Sequence, residues 1–437
     1  VGVQDGLRGP NGRTVDRCNV VVNPVGYIEC RQPPYPVERG GWWPDPLMPP
    51  GPTDCKAGEL QPFWITVHVP RDAAPGSYQG FLEVTTQTGV RTQVPLRVHV
   101  WDFALPETPA LETAFGIGYY TDWFAHLRPA EEMRRQYLDF LLQHRLSTWS
   151  MDNSDLDFVL ERGATSINVS PDNQPLYEEM KRRGLLAMTY SYIIDEPPKE
   201  RFPEVQRAYS EAKQKIPGVR RLCTVAPQNK ELHGYVDLWV PILNDYQEKA
   251  AKERQRAGEH VWWYVCLFPY PDYPNYYIDY QPLRQRILAW MNWKYGVTGI
   301  LYWSTTYGWT TNPAQEGKRW PEIPWNSYSY MDFNGDGSLI YPGPQGEPLS
   351  SIRLEAIRDG VDDYDYFALL NALVQRAKAR SGIDRSLLAR AQRLLNIPGA
   401  VVADLKHYTE DPEVLLSYRR EMGEAISQLW RLLQPQQ

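Results

Sequence analysis

The chain has 437 residues, 46 basic and 53 acidic side chains, a net charge of -7 and a pI near 5.6. At about 100 to 200 residues per domain this length implies two to four domains with real cores, and the acidic balance excludes the basic field that draws nucleic acid or anionic lipid. The longest apolar run, Val261 to Phe268, falls well short of the roughly 20 residues a membrane helix needs, so no membrane span is expected.

The chain carries 16 Trp, 28 Tyr and 38 Pro. Such a composition suits a surface that stacks on sugars or flat ligands, and equally an aromatic core with ordered loops. The five cysteines (Cys18, Cys30, Cys55, Cys223, Cys266) are too scattered for a disulfide-built fold. The sequence opens on Val1 with no charged-then-apolar secretion signal after it, which reads as a trimmed or mature product and favours an extracytoplasmic or secreted setting. Nothing in the sequence signals an oligomeric state.

From Val1 to about Thr108, short β-rich runs alternate with turn formers: Asn19 to Val22, Phe63 to Val69, Tyr78 to Val84 and Val94 to Trp101. An all-β sandwich over residues 1–108 is expected. It is short of strands, so others either hide in the Pro-rich stretch Arg31 to Pro52 or lie upstream of Val1. Leu105 to Pro109 reads as a stiff linker, because each Pro fixes its own φ and restricts its predecessor.

Beyond the linker the pattern changes to strands alternating with amphipathic helices. Strands are expected at Glu112 to Tyr119, Leu146 to Met151, Ala164 to Val169, Leu185 to Ile194, Arg221 to Val225, Val236 to Ile242, His260 to Phe268 and Gly299 to Trp303. Helices are expected at Ala130 to His144, Pro175 to Arg183, Pro203 to Ile216, Tyr246 to Ala257 and Gln281 to Lys294. This alternation predicts an α/β fold, a (β/α)8 TIM-type barrel over residues 109–380. No G-x-G-x-x-G or Walker loop supports the competing open sheet. Trp320 to Tyr341 reads as loop, with a hairpin around Asn334 to Gly337. Helices are expected at Ser351 to Ala379, Arg385 to Leu395 and Pro412 to Leu433, and residues 381–437 form a helical extension packed on the barrel.

In such a barrel, functional side chains sit where strands end. Asp195 and Glu196 stand at the end of an apolar-to-aromatic strand that includes Tyr192, and Pro197-Pro198 stops its continuation. Inside a flat strand the pair points to opposite faces. At a bent exit both carboxylates can enter one pocket, where crowding disfavours double ionisation and leaves one as an acid and the other as an anion. The plainer alternative is that Asp195 caps a turn and Glu196 is solvated. Trp303 and Tyr302 at the eighth strand's exit, in the run Leu301 to Trp309, could floor a pyranose ring or pack in the core, and Tyr264, Trp262 and Trp263 face the same choice. Asp152 and Asp245 follow other strands and read as supporting acids or as capping groups.

Metal signals are poor. Asp332 to Gly337 begins like a calcium loop, but Gly343 stands where the twelfth-place Glu is required, so a turn is the better reading. The seven histidines hold no H-E-x-x-H, and no G-x-S-x-G is present. No cofactor is expected.

Five stretches carry a resemblance: Ala74 to Gly80, Val100 to Pro109, Tyr192 to Pro197, Gly335 to Gly343 and Ser351 to Tyr366. Together they resemble glycoside hydrolase family 123 and its relatives, over about Pro44 to Phe367. The resemblance implies a β-sandwich followed by a (β/α)8 barrel, and an exo-acting retaining β-N-acetylgalactosaminidase. Its adjacent Asp-Glu pair falls on Asp195 and Glu196. By the same resemblance the substrate's acetamido oxygen is the nucleophile, Glu196 the acid and base, and Asp195 the group that stabilises the oxazolinium. Two other readings are kept: a glycosidase of the same fold on another sugar, with Asp152 or Asp245 as nucleophile or inverting base, and a non-catalytic carbohydrate-binding protein. In all three the partner is a glycan, in the first one ending in an amino sugar.

Overall fold

The computed structural model describes residues 1–3, 5–118, 129–307, 328–343 and 345–434. The expected strand end at Tyr119, Trp309, and the stretch from Trp320 to residue 327 lie outside them.

The N-terminal region forms two antiparallel sheets. In one, the hairpin of Gly76–Thr85 and Arg91–Val100 runs for ten paired positions, and the short strands Gly2–Val3, Leu7–Arg8 and Thr14–Val15 complete the sheet. In the other, Val20–Cys30 lies between Gly41–Leu47 and Phe63–Val67. Gly41–Leu47 is the strand hidden in the Pro-rich stretch. Its Pro44 and Pro46 lack a ladder N–H; the strand's ladder is with Val20–Cys30 alone, its other side making a single bridge from Pro46 to Ser351, and such an edge is where proline is tolerated.

The second region is an α/β assembly around a curled seven-stranded parallel sheet. Its order is Ile167–Asn168, Thr189–Tyr192, Arg220–Cys223, Leu238–Trp239, His260–Tyr264, Gly299–Tyr302 and Glu112–Phe115. The strand expected at Leu146 to Met151 shrinks to one parallel bridge, Phe115 to Thr148. Hydroxyls replace the missing ladder there: Thr113 N–H donates to Thr165 Oγ1 (3.1 Å), Ser166 Oγ donates to the Thr113 carbonyl (2.7 Å) and Ser147 Oγ bonds Thr165 Oγ1 (3.0 Å). Short polar side chains compete with backbone pairing in this way, so a hydroxyl-rich stretch scored as strand becomes a side-chain seam.

Alternation along the strands separates two cores. Tyr190, Leu222, Leu238, Trp262, Tyr264 and Leu301 fill the concave side. Cys223, Trp239, Val261, Trp263, Ile300 and Tyr302 face outward into the helical layer. The helices run close to their expected limits: Ala130–Gln143, Gln174–Arg182, Phe202–Lys215, Glu248–Arg256 and Pro282–Tyr295, with a further short one at Leu156–Glu161.

The C-terminal helices Ile352–Lys378, Arg385–Leu394 and Pro412–Leu433 pack together and onto Pro282–Tyr295. Ile352–Lys378 is buried on most of its circumference although nine of its 27 residues are charged. Its charged residues are therefore paired. Asp363 accepts from Arg286, Arg419 and the Trp290 indole, Asp365 from Arg145 and Ala110 N–H, and Glu355 from His144 (3.1 Å). Arg353 and Asp45 form an ion pair at 2.8 Å with both side chains at most 2% exposed. The Leu47 N–H donates to the Ser350 carbonyl nearby, so strand Gly41–Leu47 is seated against the start of this helix.

The expected hairpin is displaced. Tyr328–Tyr330 pairs with Phe333–Asn334, and the reversal falls at Met331 and Asp332, both with positive φ (47° and 65°). Asn334 to Gly337 is instead a buried loop.

Candidate active site

Asp195 and Glu196 lie three and four residues past the C-terminal end of strand Thr189–Tyr192. Glu196 adopts φ 40°, a left-handed conformation rare for a residue with a side chain. Local strain of this kind concentrates at functional sites. Its effect here is visible in the partners of the two carboxylates. Asp195 Oδ1 accepts from the Tyr192 hydroxyl (2.5 Å) and the Thr224 hydroxyl (2.9 Å), while Glu196 Oε1 accepts from the Tyr264 hydroxyl. Tyr192 and Tyr264 both belong to the concave side of the sheet, so the adjacent acids, which a flat strand would separate, are turned to one side.

Both carboxylates remain exposed, and among the described residues neither is in an ion pair. Burial and the adjacent carboxylate charges push the Tyr192 and Tyr264 phenols well above their ordinary range, so both stay protonated and donate. Thr224, buried just past strand Arg220–Cys223, also accepts the Glu196 backbone N–H at 2.6 Å.

The other expected residues divide. Tyr302 is corrected to a core residue: the pleat turns it outward, it is fully buried against Phe115 and Tyr276, and its hydroxyl bonds Asp336. Trp263 is likewise outward, bonding Asn292, and Trp262 lies inside but donates to Glu112 at the strands' N-terminal end. Trp303 is half-buried at the exit of strand Gly299–Tyr302, where its indole N–H donates to Asp336 Oδ2 (3.1 Å). Asp152 is exposed, stands at the N-cap position of a short 3-10 helix and pairs with Arg134 at 3.3 Å. Asp245 is exposed and accepts from the Gln228 amide (3.0 Å), with partial burial raising its carboxyl above the usual value.

Sequence reasoning missed two contributors. Thr224 directly follows the strand next to the one that leads into Asp195, so the parallel pairing of Tyr192 with Leu222 could have located it. Asp336 was read as part of a turn. It is fully buried, and burial pushes its carboxyl up to about 7 although Trp303 and Tyr302 donate to it. Asn334, in the same loop, spends its amide on the Arg31 carbonyl and Asp279.

Residues 174–370 match the family described as "Glycoside hydrolase 123, catalytic domain", and residues 41–86 match "Glycoside hydrolase 123 N-terminal domain". Among solved structures the chain is similar to a family 123 glycoside hydrolase from Clostridium perfringens, studied for glycolipid glycan hydrolysis. The match has 15% identity, covers 98% of this chain and 89% of that one, and reaches a TM-score of 0.70, a likeness of fold. Matches to a family 39 glycoside hydrolase from Bacteroides cellulosilyticus WH2 (10% identity, 82% and 80% coverage, TM-score 0.34) and a β-glucuronidase from Ruminococcus gnavus (11%, 82% and 67%, 0.31) carry no argument. No curated protein matches. With both of that family's domains matched in order along one chain, the protein belongs to glycoside hydrolase family 123 and is a glycoside hydrolase.

Proposed function

We propose that the chain is an exo-acting, retaining glycosidase that removes terminal β-linked N-acetylgalactosamine by substrate-assisted catalysis. The observation that carries this reading is the carboxylate pair turned to one side and held by neutral hydroxyl donors. Glu196 protonates the glycosidic oxygen as the substrate's acetamido oxygen attacks C1, so the C1–O bond to the leaving group breaks and an oxazolinium forms. Asp195 accepts the acetamido N–H and offsets the positive charge, a role suited to an acid held by the hydroxyls of Tyr192 and Thr224. Glu196 then deprotonates water, which opens the oxazolinium at C1 to give the β-product.

The competing schemes need a further carboxylate. Asp152 and Asp245 are tied to Arg134 and Gln228, which favours the acetamido group as nucleophile. Trp303 is the residue we assign to stacking on the sugar. The bridge at Thr148 supports reading the seven strands as a (β/α)8 barrel spanning residues 109–380, and the two N-terminal sheets support a sandwich over 1–108.

Hydrolysis of chromogenic β-GalNAc, β-GlcNAc and β-galactoside substrates, with the first product followed by NMR, tests the reading. Cleavage confined to the β-GalNAc substrate with β-GalNAc released first is expected, as is tight inhibition by a GalNAc-thiazoline, on the order of 10² or more over GalNAc, because it mimics the cyclised intermediate. Full activity on the plain galactoside, or α-GalNAc as first product, removes neighbouring-group participation.

A further inference from the structure

Thr224 follows a different strand from the one that leads into the acids, yet one hydroxyl touches both of them. It donates to Asp195 Oδ1 (2.9 Å) and accepts the Glu196 backbone N–H (2.6 Å). The first bond fixes the orientation of a carboxylate that Tyr192 grips at the same oxygen. The second ties down the one peptide N–H that has to turn for Glu196 to hold its left-handed φ of 40°. Thr224 is itself immobilised, being 6% exposed between the buried Cys223 and Val225. A hydroxyl is the smallest group able to give one hydrogen bond and take another at a single atom. Valine has the shape of threonine and does neither.

We infer that Thr224 is a positioning residue of the glycosidase site, whose hydroxyl sets the Glu196 backbone and the Asp195 carboxylate together. The inference rests on the assignment of Asp195 and Glu196 as the working pair. It separates two things the chain keeps in register: the bend that brings adjacent acids to one side, and the orientation each then takes. Without the hydroxyl the N–H of Glu196 is left without its partner, the backbone is free to leave the left-handed region, and Glu196 withdraws from Tyr264. Because both acids move, the loss falls on the chemical step rather than on sugar binding.

The test compares Thr224→Val with Thr224→Ser on aryl and unactivated β-GalNAc substrates. Thr224→Val is expected to lower kcat by about 10- to 100-fold with KM changed less than about threefold, the scale of a small misplacement of reacting groups. Thr224→Ser, which keeps the hydroxyl, is expected to stay within about threefold of the parent, since the bonding group is unchanged. A Val variant with parental kcat, or a Ser variant as impaired as Val, overturns the inference, the latter by showing that the methyl group and its packing matter instead. Should the Val variant not fold, Thr224→Ala carries the same comparison with Ser. If the parent protein cleaves none of the amino-sugar substrates, the assignment of the pair is what fails. The Thr224 inference is then decided by a crystal structure of the variant: Glu196 out of the left-handed region and Asp195 turned from Tyr192 sustain it, and an unmoved pair overturns it.

Discussion

The two ends of the parallel sheet treat their carboxylates differently. At the N-terminal end Glu112 receives the Arg220 guanidinium through two bonds (2.7 and 2.9 Å) as well as the Trp262 indole, and Asp237 receives Arg221. At the C-terminal end, among the described residues, the Asp195 and Glu196 carboxylates receive hydroxyls, those of Tyr192, Thr224 and Tyr264. A guanidinium neutralises an acid and locks its charge, whereas a hydroxyl orients it and leaves its charge for something else to meet. The same strand Arg220–Cys223 serves both ends, beginning at Arg220 and leading directly into Thr224. The difference teaches that one end is built for cohesion and the other for a partner that arrives.

The strongest way to break this comparison is to substitute at both ends and ask which property moves. Glu196→Gln is expected to lower turnover of poor leaving groups by about 10² to 10⁴, less for activated aryl groups, with stability shifted by no more than about 0.5 kcal/mol. Steady-state kinetics beside a denaturation curve reads both. Arg220→Met should do the converse, costing about 3 kcal/mol because Glu112 is left without its cation. Urea denaturation measures it, and a fall in kcat larger than the fall in stability would erase the distinction between the ends.

A third test uses Asp336, whose buried carboxyl is pushed up to about 7. Between about 4, where the unfolded chain releases this proton, and about 7 the native state binds more protons than the unfolded state. Its contribution to stability therefore falls as pH rises through that window and stays low above it. Asp336→Asn should flatten this part of the stability–pH curve relative to the parent, and parallel curves would show that Asp336 is ionised throughout. The smallest expected effect is that of Trp303→Ala, a rise in KM of about fivefold at unchanged fold, corresponding to roughly 1 kcal/mol of ring stacking. A parental KM would leave Trp303 a donor to the buried Asp336 and nothing more.

Much of the architecture was legible because it rests on periodicity. The helices Ala130–Gln143, Phe202–Lys215 and Ile352–Lys378 fall within a few residues of where apolar spacing puts them. The 147–149 segment was not legible, since hydroxyls that score well as strand residues spend themselves on the neighbouring backbone. The Asp195 and Glu196 positions could be read from their place after an aromatic strand, but the left-handed turn at Glu196 leaves no mark in composition. Whether Tyr302 floors a sugar or packs in the core stayed open in the sequence, because only the register decides which way the pleat turns it. The run Ser351 to Tyr366, so distinctive as a motif, proves to hold the helical layer together through Arg353, Glu355, Asp363 and Asp365. A stretch can therefore mark a family strongly through the fold it holds together.

The buried pair of Asp45 and Arg353 also imposes an order in time. The two residues are 308 positions apart, and at about 5 to 20 residues per second a ribosome takes roughly 15 to 60 s to deliver the second after the first. For that interval strand Gly41–Leu47 has its partner Val20–Cys30 but not its seat against the late helix, and an aspartate destined for a dry interior must stay in water. The early part of the chain thus waits for the late part, and a fragment cut at the Leu105 to Pro109 linker would wait indefinitely. Expression of either portion by itself leaves half of an ion pair without its counter-charge, so the linker is a hinge in the sequence but no boundary for biosynthesis.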